Sequence, residues 1–281
     1  MSDYASQPTA QYLSSEHVIE EFYHHGLERL ENATVFQVFL LACMAGGFIA
    51  MGALFSVLLA QGTETTGIKL LLQGLGFSAG FFFVILSSAV LFTEANVILP
   101  ATLLQHKKGI FLKILRFWGI TWIGNLTGAV MIGWIVHIAQ VYPAETYEEL
   151  AHFVEKKMHY AEVGTTSAWF QAMLSGTVAN WLVGMAAFFA MMGRTIIGKY
   201  IPIFLAVTLF VAGNFQHSPA NMGYFSLIMP GGDGPGWGPA MLWNIIPVGI
   251  GNMIGGAFMV ALPFWYALRP KSGHPGEEDS K

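Results

Sequence analysis

Apolar residues in this chain come in long unbroken runs, not at alternate or every-third positions. Stretches free of Asp, Glu, Lys and Arg cover residues 33–62, 70–93, 117–144, 163–193, 200–232 and 234–268. Each is longer than the roughly 20 residues a helix needs to cross hydrocarbon. Lipid offers backbone N–H and C=O groups no partners, so such runs must satisfy them internally. They are too long and too continuously apolar for barrel strands. The pattern predicts an all-α integral membrane protein with six transmembrane helices.

Between the runs the charges are sorted by sign. Lys107, Lys108, Lys113 and Arg116 follow the second run, Arg194 and Lys199 the fourth, and Arg269 and Lys271 the sixth. The opposite loops hold Glu64 with Lys69, then Glu145, Glu148, Glu149, Glu155 and Glu162 with Lys156 and Lys157, then Asp233. Basic loops stay in the cytoplasm, which predicts cytoplasmic termini; the expected location is the inner (plasma) membrane. Composition agrees: 54% of the 281 residues are hydrophobic and 11% charged, with mean hydropathy +0.54, against about 25% charged in soluble domains. Cys43, inside the first run, is the one cysteine, so an internal disulfide or a cysteine metal site is not expected.

Residues 1–31 are polar, with no apolar core of the kind a signal peptide needs. Within them SEHVIEEFYHHGLERLE places Ile19, Phe22, Tyr23, Leu27 and Leu30 at helical spacing. This predicts an amphipathic helix that lies on the membrane surface, packs on a neighbouring subunit or simply caps the cytoplasmic face. The expected organisation is a cytoplasmic segment 1–31, a channel domain 32–269 and a disordered polar tail 270–281.

The two halves repeat each other in order. Phe36-Gln37 answers Phe170-Gln171, Thr93-Glu94-Ala95-Asn96 answers Ser218-Pro219-Ala220-Asn221, and Gly124-Asn125 answers Gly251-Asn252, at a near-constant offset. Three spans per unit is odd, so the units face opposite ways: a 3+3 inverted repeat, with a site near the midplane. Pro219 cannot continue a helix but suits the start of one. Ser218 reads as a cap, Gly213 as the end of the preceding half, and Thr93 as the cap of the matching break. Two half-helices starting at mid-depth create an electropositive region suited to a small anion.

His217 stands at the second break, the one histidine deep in a span; His137 lies near an outer end. It either exchanges protons with a weak acid or holds the broken backbone by hydrogen bonds. Phe77, Phe81, Phe82, Phe83, Phe92, Phe210 and Phe215 flank the breaks, as packing or as apolar gates. Three functions compete on these residues. They are a channel for anions of weak acids, an aquaporin-like pore for neutral solutes, and a haem-binding redox enzyme. The last needs axial ligands in the span interiors, and only His217 is deep enough.

The segments GFSAGFFFVILSSAVLFTEANVIL, ANWLVGMAAFFAMMGR, NFQHSPANM and GNMIGGAFMVALPFWY carry a resemblance to the formate/nitrite transporter family over about residues 15–270. The resemblance implies an aquaporin-like protomer in a homopentamer, one pore per protomer, with no enzyme activity, cofactor, metal or nucleic-acid partner. It implies that His217 is the central pore histidine and Thr93 its partner, with Asn180 and Asn221 nearby. Phe81, Leu91, Phe92 and Phe210 would form the cytoplasmic constriction and Phe77 with Phe210 the outer one. The implied substrate is formate or, alternatively, nitrite or hydrosulfide, passing protonated or with a proton.

Three positions depart from the family pattern. Gly164 stands where relatives carry a vestibule lysine, with Lys156, Lys157 or Lys69 as substitutes. Gln216 stands where some relatives have an acid. Glu94 follows Thr93, so it either pairs with a donor or faces away from the path.

Overall fold

The computed structural model describes residues 12–104 and 109–268. Lys107, Lys108, Arg269, Lys271 and the expected disordered tail lie outside the described residues. The helices in chain order are α1 (Ser15–Asn32), α2 (Val35–Ala60), α3 (Thr66–Ser87), α4 (Phe92–Ile98), α5 (Pro100–Leu103) and α6 (Ile110–Ala139). They continue with α7 (Ala144–Lys157), α8 (His159–Val163), α9 (Thr166–Met192), α10 (Ile196–Ala212), α11 (Ser218–Ile228) and α12 (Trp237–Leu268).

Five of these helices, α2, α3, α6, α9 and α12, are long and apolar enough to cross a membrane. The chain is a multi-pass membrane protein. Their starts are written in the sequence. Thr34 opens α2 with a capping box: its hydroxyl accepts Gln37 N–H at 3.3 Å and the Gln37 side chain accepts Thr34 N–H at 2.9 Å. Thr165 and Thr195 cap α9 and α10 by the hydroxyl alone, which accepts the N–H of Ala168 and Gly198. The large apolar side chains facing outward along α2, α6 and α9, among them Phe36, Ile123, Trp134 and Leu174, suit contact with lipid.

Where two helices touch, glycine removes the side chain between their backbones. A Cβ on Gly128 of α6 would stand 1.8 Å from the Cys43 carbonyl of α2, and one on Gly255 of α12 would stand 2.2 Å from the Thr177 carbonyl of α9. Small-residue contacts of this kind let membrane helices pack closely where no hydrophobic force drives them together. The glycines of the repeated Gly-Asn motifs are packing residues too: a Cβ on Gly124 would stand 2.5 Å from Ala42 Cβ, and one on Gly251 1.9 Å from the Met173 carbonyl.

Both expected breaks are present, and they share a design. The first half-helix of each ends on a left-handed residue, Ser88 (φ 57°) and Asn214 (φ 52°). The next residue closes the turn onto the helix end: Ala89 N–H to Val84 O at 3.2 Å, and Phe215 N–H to Phe210 O at 3.2 Å. This six-to-one closure satisfies carbonyls that the ended helix leaves orphaned. The expected end at Gly213 is met, and two expected caps, Ser218 and Thr93, are corrected. Gly213 ends α10 but keeps right-handed geometry; Asn214 makes the turn, since an asparagine tolerates the left-handed region. Ser218 is the first helical residue of α11, and the residue before it, His217, is the cap. Thr93 is not a cap either, because α4 already starts at Phe92.

The amphipathic helix α1 forms as expected but docks on its own chain. Val18, Ile19 and Phe22 are buried against Val97, Ile98, Ala101, Phe188 and Val260. Burying side chains of this size contributes about 1.5–3 kcal/mol each. The acidic segment after α6, read from sequence only as a loop, forms helix α7, which buries Leu150 and Val154.

Candidate functional site

Each half-helix that starts inside the fold is capped by the asparagine of a Gly-Asn motif. Asn125 Oδ1 accepts Phe92 N–H at 2.9 Å, and its amide donates to the carbonyls of Ala42 at 2.9 Å and Val90 at 3.0 Å. Asn252 Oδ1 accepts Ser218 N–H at 2.8 Å, and its amide donates to the carbonyls of Gly176 at 2.8 Å and Gln216 at 3.4 Å. Helix starts buried in an apolar interior need such partners. These two asparagines were legible as a repeat, but their capping role was not.

The caps bring His217 and Thr93 together. His217 Nε2 lies 3.0 Å from Thr93 Oγ1, and both side chains are buried. The other ring nitrogen, Nδ1, receives the Ala220 backbone N–H at 3.3 Å. A backbone N–H can only donate, so Nδ1 is the acceptor and Nε2 carries the proton of a neutral ring. Within the pair the ring proton is taken up by Thr93 Oγ1, and the threonine hydroxyl hydrogen is the donor left over. Giving up a proton outright requires Nδ1 to be protonated, which the Ala220 N–H opposes.

Asn180 supports this pair from α9. Its amide donates to the carbonyls of Thr93 at 3.2 Å and Asn252 at 2.7 Å, so one side chain ties both breaks together. Its Oδ1 is buried without a partner among the described residues. Gln216 and Asn221 sit slightly apart. Asn221 Nδ2 donates to Gln216 Oε1 at 2.9 Å and to Asn244 Oδ1 at 2.6 Å. Asn244, from a π-helical turn of α12, donates in turn to the Lys157 carbonyl at 2.8 Å. Sequence reasoning missed Asn244; a lone amide in a charge-free run was the available signal.

This amide cluster fixes the end of α7 over the second break, and Lys157 is the residue it holds. Its side chain is 4% exposed, with Nζ 3.5 Å from the Phe215 carbonyl and 5.3 Å from the centre of the Phe153 ring. Phe215 is two residues from His217. Burial pushes the ammonium down to about 7. Gly164 instead ends α8 with φ 64°, Lys69 pairs with Glu149, and Lys156 is exposed. Of the three lysines considered as substitutes, Lys157 is the one buried beside the second break.

The aromatic residues gather on the Phe210 side of the histidine ring. Phe77, Phe81, Leu91 and Phe210 share one apolar cluster. The Phe210 ring lies 5.3 Å from the His217 ring and 5.6 Å from Phe77. Phe92 is buried too, outside that cluster. Glu94 does not face the histidine: its Oε2 pairs with Arg29 Nη1 of α1 at 3.2 Å.

Comparison with known proteins gives a consistent picture. The family model described as formate/nitrite transporter matches residues 16–266. The chain is 31% identical over 253 residues to a probable formate transporter of Methanothermobacter thermautotrophicus, covering 85% of this chain and 91% of that protein. It is 26% identical to the formate channel FocA of Escherichia coli (strain K12), covering 85% and 88% respectively. Among solved structures, a pentameric formate channel with formate bound superposes with a TM-score of 0.69 at 24% identity, over 83% of this chain and 97% of that one.

Proposed function

The chain belongs to the formate/nitrite transporter family, and from that premise we propose that it is a formate channel whose selectivity step lies at His217 and Thr93. The protein moves small monovalent anions across the membrane; formate is the substrate that two of its relatives are named for. The observation that carries the site is the 3.0 Å contact between His217 Nε2 and Thr93 Oγ1, made where the two broken helices meet.

Lys157 draws the anion toward the second break, because a buried cation in a low-dielectric wall acts at longer range than an exposed one. The anion then meets the pair of His217 and Thr93, beside the rings of Phe77 and Phe210. Apolar rings repel a hydrated ion, so passage favours the protonated or proton-paired species. Phe81, Leu91 and Phe92 complete the constriction on the α1 side. Asn180, Asn221 and Gln216 hold the pore wall in place.

The matching capping networks of Asn125 and Asn252 support a 3+3 inverted repeat. In it α3 with α4, and α10 with α11, each count as one broken span, making six. The basic loops support cytoplasmic termini in a plasma membrane, and the solved relative supports a homopentamer of channel domains spanning 32–269. Flux of formate, nitrite and hydrosulfide into proteoliposomes tests the substrate. Formate is expected to move fastest; faster nitrite or hydrosulfide would reassign it.

A further inference from the structure

Glu94 directly follows Thr93 in the first turn of α4, and its side chain is 9% exposed. A carboxylate this near an anion path opposes every anion that approaches, since a low-dielectric wall screens it poorly. Its partner is Arg29, with Nη1 3.2 Å from Oε2. Arg29 comes from α1, whose Val18, Ile19 and Phe22 are packed against Val97, Ile98 and Ala101 of the α4–α5 segment. The guanidinium is therefore placed by a packed helix and not by a free tail.

The pair opens onto a cavity of 320 Å³ that also touches Ser88 and Ala89 of the first break, His25 and Lys199. Among the charged side chains described around this cavity, two cations, Arg29 and Lys199, face one carboxylate. Lys199 Nζ already donates to the Ala190 carbonyl at 2.8 Å. Without Arg29, Glu94 would be the least compensated charge at this mouth.

We propose that Arg29 is a specificity-determining residue of the pore: by neutralising Glu94 it leaves the mouth on the α1 side net positive, so that small monovalent anions are admitted there. The inference rests on the anion-transport reading above and extends the pathway to a helix outside the spans. Arginine suits the task because it stays charged at every working pH and holds a carboxylate through fixed donors. A mere tie between α1 and α4 would need the same contact, but the two roles separate when the carboxylate is removed as well.

The test uses the full-length chain in proteoliposomes, reading formate flux and the reversal potential in a salt gradient. Arg29→Gln, which exposes Glu94, is expected to lower formate flux by about tenfold or more and to shift the reversal potential away from anion preference. The double variant Arg29→Gln/Glu94→Gln has no ion pair yet restores the charge balance, and is expected to regain most of the flux and the preference. A double variant as impaired as Arg29→Gln would overturn the proposal and leave a structural tie. Wild-type behaviour of Arg29→Gln would overturn it as well. If Arg29→Gln does not fold, Glu94→Gln alone must strengthen anion preference, and an unchanged reversal potential overturns the proposal. Wild-type vesicles that pass no small anion would overturn the transport reading beneath it.

Discussion

Asn252 Oδ1 accepts the backbone N–H of Ser218 at 2.8 Å, and this contact fixes where the second half of a broken helix begins. Asn125 does the same for Phe92 at 2.9 Å. Replacing either asparagine with leucine removes the partner of a buried N–H and of one carbonyl outside a helix, Val90 or Gln216, at a cost of about 1–3 kcal/mol per group. Asn252→Leu and Asn125→Leu are therefore expected to lower the apparent melting temperature of the purified protein, by similar amounts. Thermal unfolding of both variants checks this. A drop confined to one of them would contradict the shared role of the two caps.

Gly128 leaves no room for a side chain, since its Cβ would meet the Cys43 carbonyl at 1.8 Å. Gly128→Ala must separate α2 from α6, and overpacking of this kind costs about 1–3 kcal/mol or more. The expected result is a reduced yield of folded protein. Gly119→Ala, where nothing stands within 4 Å, serves as the control and is expected to behave as wild type. Size-exclusion profiles of the two variants separate the cases.

Much of this was legible in the chain. Five of the six charge-free runs marked long apolar helices, and Pro219 with the repeated motifs marked the breaks. The placement of His217 at a break was readable because a lone histidine in an apolar run is conspicuous. Long-range pairings were not readable. Nothing near Thr93 in sequence says that Glu94 faces Arg29, or that the Asn244 amide holds the Lys157 carbonyl. The caps were misassigned for the same reason. Ser218 and Thr93 are good capping residues by type, but the tertiary structure brought Asn252 and Asn125 to those N–H groups instead.

Thr93→Val keeps the shape of the side chain and removes the hydroxyl that His217 Nε2 meets at 3.0 Å. A lost hydrogen bond of this class is worth about 0.5–1.5 kcal/mol, or about two- to tenfold in rate. Formate flux is expected to fall within that range, and Thr93→Ser is expected to recover it. If Thr93→Val conducts like wild type, the onward donor is not the threonine hydroxyl.

Lys157 gives the channel a pH signature. With its ammonium pushed down to about 7, the cation is present below that pH and lost above it. The ratio of wild-type to Lys157→Met formate influx is therefore expected to be large at low pH and to approach one as the external pH rises through about 7. Lys157→Arg, which stays charged, is expected to show no such step. A ratio independent of pH would contradict the assignment. The same burial links folding to pH. Between about 7 and 10.5 the unfolded chain holds a proton that the folded chain has released, so stability rises with pH there.

The central claim is that the anion passes His217 at the meeting of the two breaks and depends on its ring. Formate uptake into proteoliposomes across a series of pH values, for wild type and His217→Asn, tests it most directly. The asparagine keeps a polar donor at the break but cannot titrate. Uptake by the variant is expected to be lost, or to follow pH differently from wild type. Equal uptake at every pH would take His217 out of the mechanism and leave the proton to come from water.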